Sequence, residues 1–148
     1  MLTNQASTSE GRHRHSEAVV ALCKVVEVQR RRAAEQLGIS ETGLAALVLI
    51  CAGDGISPSD IATELDLTSG SVSPMLDQLA GSGYIERSPH PRDRRRLLIN
   101  AKPGGHHALA WATEQMDQYL RDVTANMSEQ DHDAVARFLS AATEALDR

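Results

Sequence analysis

Aromatic side chains are scarce in this sequence: Tyr84, Trp111, Tyr119 and Phe138 make up 3% of its 148 residues. The core must therefore be aliphatic, and the stacking platforms that hold single-stranded nucleic acid have almost nothing to be built from. Long apolar runs are missing as well. No stretch approaches the roughly 18 residues of a membrane span, and the start of the chain lacks the apolar segment of a signal peptide. The expectation is a cytoplasmic protein with no membrane partner. Cys23 and Cys51 have no CxxC spacing and lie in apolar surroundings, which points to buried thiols and not to a disulfide framework. The histidines do not fall at ligand spacing: His106 and His107 are adjacent and face different directions on a helix, while His13, His15, His90 and His132 are scattered. No metal site is expected. Nor is there a nucleophile–base pair, a glycine-rich phosphate loop or an HExxH motif, so neither an enzyme nor a cofactor is expected.

What is present is an ordinary globular composition, 41% hydrophobic and 24% charged, enough for one domain with a real core. The net charge of −5 conceals an asymmetry. Between Tyr84 and Lys102 stand six basic residues (Arg87, Arg92, Arg94, Arg95, Arg96, Lys102) and two acidic ones (Glu86, Asp93), a segment of +4 that leaves −9 for the rest. A cationic finger on an anionic body can reach a phosphate backbone while the body is repelled from nonspecific contact. A solvated charged loop is the plainer alternative, and context decides between them.

Residues 1–15 are polar, rich in Ser and Thr and without periodicity, which predicts a frayed arm. From Ser16, Val19, Val20, Cys23, Val26, Ala33 and Leu37 recur at helical spacing up to Gly38. Ser40 can cap a second helix carrying Leu44, Leu47, Val48 and Cys51 on one face before Gly53 and Gly55. Ser57, Pro58 and Asp60 are start signals for a short third helix burying Ile61, Ala62 and Leu65. A fourth runs from about Ser69 to Ala80, with Val72, Leu76 and Leu79 inward and Gly81 and Gly83 at its end. The period then falls to 2. Residues 84–87 and 96–100 read as two strands, and Pro89 and Pro91 exclude a regular ladder at the tip between them. Gly104 and Gly105 break the chain again before a fifth helix from His106. Ser128, with acids behind it, opens a sixth.

A short helix, a tight turn, a second helix and a basic hairpin follow the winged helix-turn-helix order. There the first helix braces a reader helix in the major groove while the hairpin reaches the neighbouring backbone or minor groove. Residues 57–65 would be the brace and 69–80 the reader. From Ser16 onward the sequence resembles the MarR family of bacterial transcriptional regulators. The resemblance is carried by Leu76, Leu79, Gly83, Ile85 and Arg87, by the run Asp93, Arg94, Arg95, and by the later Gly105. It implies a mainly α fold of six helices with a small β-hairpin wing, and a domain over residues 16–148. Within it, a DNA-binding lobe spans about 39–102 and dimerisation helices span about 16–37 and 106–147. It further implies a homodimer on a pseudo-palindromic DNA operator, with repression relieved by a small ligand or by oxidation.

The expected DNA contacts are Ser69, Ser71 and Ser73 on the reader helix and Arg92, Asp93, Arg94, Arg95 and Arg96 in the wing. In the family an arginine of the wing tip enters the minor groove and the aspartate orients its neighbour, and one carboxylate among four arginines suits a clamp. The reader helix departs from the family's common pattern, since Ser69, Pro74 and Gln78 stand where Lys or Arg is frequent. Its serines supply less base discrimination than a bidentate Arg or Asn, and capping is the plainer role for them. Pro74 removes a backbone donor inside the helix and should bend it. A reader helix of this Ser-Gly-x-x-x-Pro form is similar to the family's hydroperoxide-sensing branch. Cys23 is in the first helix, but the tyrosines that branch needs near its thiol are not on the second. A small aromatic or amphipathic effector is expected in a cleft lined by aliphatic residues of the first, second and fifth helices. Nothing in the sequence identifies its ligand residues. The rivals are a winged-helix protein-interaction module without specific DNA binding, and a thiol-based redox-sensing regulator.

Overall fold

The computed structural model describes residues 3–91 and 93–146, with side chains for 14–91, 93 and 96–145. In chain order these form α1 (Thr3–Gln36), α2 (Glu41–Ala52), α3 (Pro58–Glu64), α4 (Ser69–Gly81), β1 (Ile85–His90), β2 (Asp93–Ala101), α5 (Pro103–Thr124) and α6 (Glu129–Leu146). The chain forms two compact units, residues 1–109 and 110–148.

The core of the first unit is aliphatic. Leu47 and Ile50 of α2, Ile61 of α3, Leu76 and Leu79 of α4, Ile85 of β1 and Ile99 of β2 are its largest fully buried side chains, each stabilising the fold by roughly 1.5–3 kcal/mol. Local chemistry sets the helix starts. Ser40 Oγ accepts the amide of Gly43 at 2.9 Å. Ser57 Oγ accepts the amide of Asp60 at 3.2 Å and donates to its carboxylate at 2.7 Å, so an otherwise buried hydroxyl is satisfied on both sides.

Three helices end in the same way. The amides of Gly38 and Ile39 bond to the carbonyls of Glu35 and Ala34 at 3.1 and 3.0 Å, those of Asp66 and Leu67 to Thr63 and Ala62 at 3.3 and 2.8 Å, and those of Gly83 and Tyr84 to Ala80 and Leu79, both at 3.0 Å. This crossed pair of bonds needs a left-handed residue at its centre. Gly38 (φ 68°) and Gly83 (φ 75°) provide it without cost, whereas Asp66 (φ 50°) carries a side chain there. The first of these turns swings α2 by 87° from α1, and Arg31 Nε donates to Glu41 Oε1 across the corner at 2.9 Å.

Four expectations from the sequence need correction. Residues 3–15 are helical, continuing α1; they contain no proline, and Gly11 alone does not outweigh Gln5, Ala6, Glu10, Arg12 and Arg14, which favour or tolerate a helix. The strands run past the prolines: Pro89 pairs with Leu97 and the register shifts only between Pro89 and His90, as an irregularity in a two-stranded ribbon allows. Helix α5 begins at Pro103, with Gly104 and Gly105 in its first turn and not as a break. Proline suits the first helical position. Cys23 is exposed, not buried, and Cys51 is half-buried. Over residues 14–32 no side chain of α1 is buried, Cys23 among them.

In the second unit none of residues 110–145 is buried. Ser128 caps α6: its hydroxyl donates to Asp131 Oδ2 at 2.6 Å and accepts the Asp131 amide at 3.2 Å. Tyr119, Leu120 and Val123 of α5 and Val135, Phe138 and Leu139 of α6 are all exposed.

Candidate nucleic-acid interface

Helix α4 buries Val72, Met75, Leu76 and Leu79 and turns Ser69, Gly70, Ser71, Ser73, Pro74, Asp77 and Gln78 to solvent. The inward set fixes its pose against α2 and α3. The outward set holds hydroxyls, an amide and the Asp77 carboxylate, and no cation. Ser71 is not idle, since its hydroxyl donates to the carbonyl of Thr68 at 2.8 Å and lies 3.2 Å from the Thr68 hydroxyl. That bond ties it back to the residue before the helix and caps no amide, nor does Thr68, whose own side chain makes no cap bond. Ser69 and Ser73 are exposed beside it. Pro74 sits inside the helix, where it leaves the Gly70 carbonyl without its helical donor.

The hairpin is attached to this helix at its base. Arg87 of β1 donates to Asp77 of α4 at 2.7 Å, an exposed pair, and Asn100 of β2 donates to the Ser88 hydroxyl at 2.8 Å. On its other side β2 exchanges two backbone bonds with the segment before α3, Ile56 N to Ile99 O at 3.1 Å and Ile99 N to Ile56 O at 2.9 Å. The finger therefore rises from a fixed base. Asp93 and Arg96 are exposed on β2. Arg94 and Arg95 belong to the same strand by their backbone, their side chains lying outside the described residues, as does the whole of Arg92. The local charge expected from the sequence is thus partly spent inside the lobe, since Arg87 already faces Asp77.

Two further contacts had no signal in the sequence. Gln78 Nε2 donates to the carbonyl of Gly38 at 3.1 Å, and Tyr84 Oη donates to that of Leu37 at 3.1 Å. The Tyr84 hydroxyl is thereby committed to backbone and not to a thiol. Burial pushes the Cys51 thiol above its ordinary pKa, the opposite of what a reactive thiolate requires. Among the described residues no group of three or more His, Cys, Asp or Glu side chains could hold a metal ion, and no single helix is long and apolar enough to cross a membrane.

Residues 39–97 match the MarR family model. The HTH-type transcriptional regulator YdgJ of Bacillus subtilis is 29% identical over 91 residues, which cover 62% of this chain and 56% of YdgJ. The multiple antibiotic resistance protein MarR of Salmonella typhimurium is 30% identical over 93 residues, 62% of this chain and 65% of that protein. The chain thus spans between half and two thirds of the length of these relatives. Among solved structures, the transcriptional regulator Tm0710 of Thermotoga maritima superposes with a TM-score of 0.74 at 18% identity, over 92% of this chain and 96% of Tm0710. A MepR mutant of S. aureus bound to an oligodeoxyribonucleotide superposes with a TM-score of 0.69 at 23% identity, over 89% and 97%. The winged-helix fold is shared across this wide sequence divergence.

Proposed function

We propose that this chain, whose residues 39–97 match the MarR family model, is a cytoplasmic transcriptional regulator that binds a pseudo-palindromic double-stranded DNA operator as a homodimer. The observation that carries this reading is the joining of an exposed, hydroxyl-rich α4 to the base of a basic hairpin through Asp77 and Arg87 at 2.7 Å. In this reading residues 39–102 are the DNA-binding lobe. Ser69 and Ser73 of α4 meet base edges or phosphates, and Ser71 donates to DNA only by giving up its bond to the Thr68 carbonyl. Arg92, Arg94, Arg95 and Arg96 take the neighbouring backbone and minor groove, with Asp93 orienting one of them. Residues 16–37 and 106–147 form the dimer contact, for which the exposed apolar side chains of α1 (Val20, Leu22, Val25, Val28) and of α5 and α6 supply the surface. A small aromatic or amphipathic ligand lodged among aliphatic residues of α1, α2 and α5 releases the DNA, so that the protein acts as a repressor. The thiol-redox alternative has no support in Cys51, and Cys23 is only a lone exposed thiol.

The test is a salt titration of binding to operator and scrambled duplex. Each neutralised phosphate adds about 0.9 to the slope of log K against log salt, so changing Arg94 and Arg95 to Ala should weaken binding to all sequences and flatten the slope by up to about 2. A double variant that keeps both affinity and slope makes the hairpin a solvated loop and favours a protein-interaction module, a reading to which the cation-free α4 already lends weight. Light scattering that gives a monomer mass at micromolar concentration would remove the dimer.

A further inference from the structure

Helix α1 ends by turning its chain off-axis at Gly38, and the crossed bonds of that turn satisfy carbonyls further back in the helix. The carbonyls of Leu37 and Gly38 lie beyond the last helical donors, where a helix end needs partners from elsewhere. Both receive one, and from different elements: Tyr84 Oη donates to Leu37 at 3.1 Å and Gln78 Nε2 donates to Gly38 at 3.1 Å. Gln78 lies on the exposed face of the reader helix α4. Tyr84 is the joint between α4 and β1, with its amide on the Leu79 carbonyl at 3.0 Å and its carbonyl on the Lys102 amide at 2.9 Å. Donors from the reader helix and from the root of the wing thus grip two successive peptide units at the end of α1. One such bond leaves a pivot, whereas two on adjacent carbonyls oppose rotation as well as translation.

We infer that Gln78 and Tyr84 are positioning residues that lock the DNA-reading lobe to the end of α1 and so set the half-site spacing the protein accepts. The inference rests on the proposed dimer on DNA. In that arrangement α1 belongs to the two-fold contact while α4 reads the groove, and the corner at Leu37 and Gly38 fixes how far apart the two reader helices stand. A rigid corner demands one spacing, and a loosened one tolerates neighbours. It also gives the uncharged residue at position 78 a task, since its amide donates to the Gly38 carbonyl.

The experiment uses the full chain, an operator selected from random duplexes, and copies of it with one base pair added to or removed from the centre. Wild type should prefer the selected spacing by about tenfold or more, in keeping with the cost of a misplaced base contact. Tyr84→Phe combined with Gln78→Ala should reduce that preference to about threefold or less while affinity for an isolated half-site changes by no more than about twofold. A merely structural role would lower the melting temperature and weaken binding to every spacing alike, leaving the ratio unmoved. If the double variant does not fold, Tyr84→Phe alone, which removes one hydroxyl, should still lower the ratio measurably. A folded variant that retains the wild-type ratio overturns the inference and leaves the proposed function intact. Wild-type protein that binds no duplex, or binds all spacings equally, overturns both.

Discussion

The Cβ that Gly105 lacks would collide with the carbonyl oxygen of Tyr84. That oxygen is already engaged by the amide of Lys102 at 2.9 Å, so the first turn of α5 lies directly against the root of the wing, and no side chain fits between them. Gly105→Ala is expected to force the two apart and to destabilise the first unit by about 2–3 kcal/mol, as overpacking against immovable backbone does. Urea unfolding of the variant beside wild type measures it; an unchanged midpoint would show that α5 can shift freely.

Asp66 holds the left-handed position at the end of α3 that glycine holds at the ends of α1 and α4. Asp66→Gly removes the Cβ penalty there, and the gain is expected to be about 0.5–1 kcal/mol after the extra flexibility of the unfolded chain is subtracted. Thermal unfolding should show a rise of roughly 2–4 °C. A fall would mean that the aspartate side chain contributes a bond worth more than the strain.

The Asp131 carboxylate accepts the hydroxyl of Ser128 at 2.6 Å and its amide at 3.3 Å, and these bonds, the hydroxyl foremost, hold its pKa below the ordinary aspartate value. A folded pKa below the unfolded one gives stability that is complete above the unfolded value, about 3.9, and is lost as pH falls through the folded one. The start of α6 should therefore loosen as pH falls below the ordinary aspartate range. Ser128→Ala should raise the Asp131 pKa, followed by carboxyl NMR titration, and move that loosening to higher pH.

Because burial raises its pKa, Cys51 should be mostly protonated at neutral pH and should alkylate more slowly than a free cysteine in native protein. Iodoacetamide labelling followed by peptide mass spectrometry checks this. Labelling at or above the free-thiol rate would reopen a redox role for α2.

What the sequence disclosed was local. Ser40, Ser57 and Ser128 announce helix starts because a cap needs only the residue and the amides two or three places on, and all three act as caps. The alternation from Ile85 and the buried Val72, Leu76 and Leu79 follow from periodicity alone. What escaped it joins distant positions: Ile56 to Ile99, Asp77 to Arg87, and Gln78 to Gly38 across 40 residues. A polar side chain reaching a backbone carbonyl leaves no pattern in the sequence. Gly104, Gly105 and Pro89 were misleading for a related reason, because each is permitted by a neighbour that only the fold supplies. At the candidate interface the sequence marks which residues are polar or cationic but not which are already engaged, and Ser71 and Arg87 are.

The bridge from Ile56 has one more effect, on how the protein behaves in a crowded solution. An isolated hairpin offers two open edges, and an open edge can recruit a strand from another molecule. Here the inner flank of β2 is closed at Ile99 by Ile56, and the outer strand, β1, has only six residues. Among them Pro89 has no amide proton to offer a newcomer, and Glu86 places a charge on the exposed rim. The finger can stand away from the body, as reaching into a groove requires, without becoming a template for aggregation.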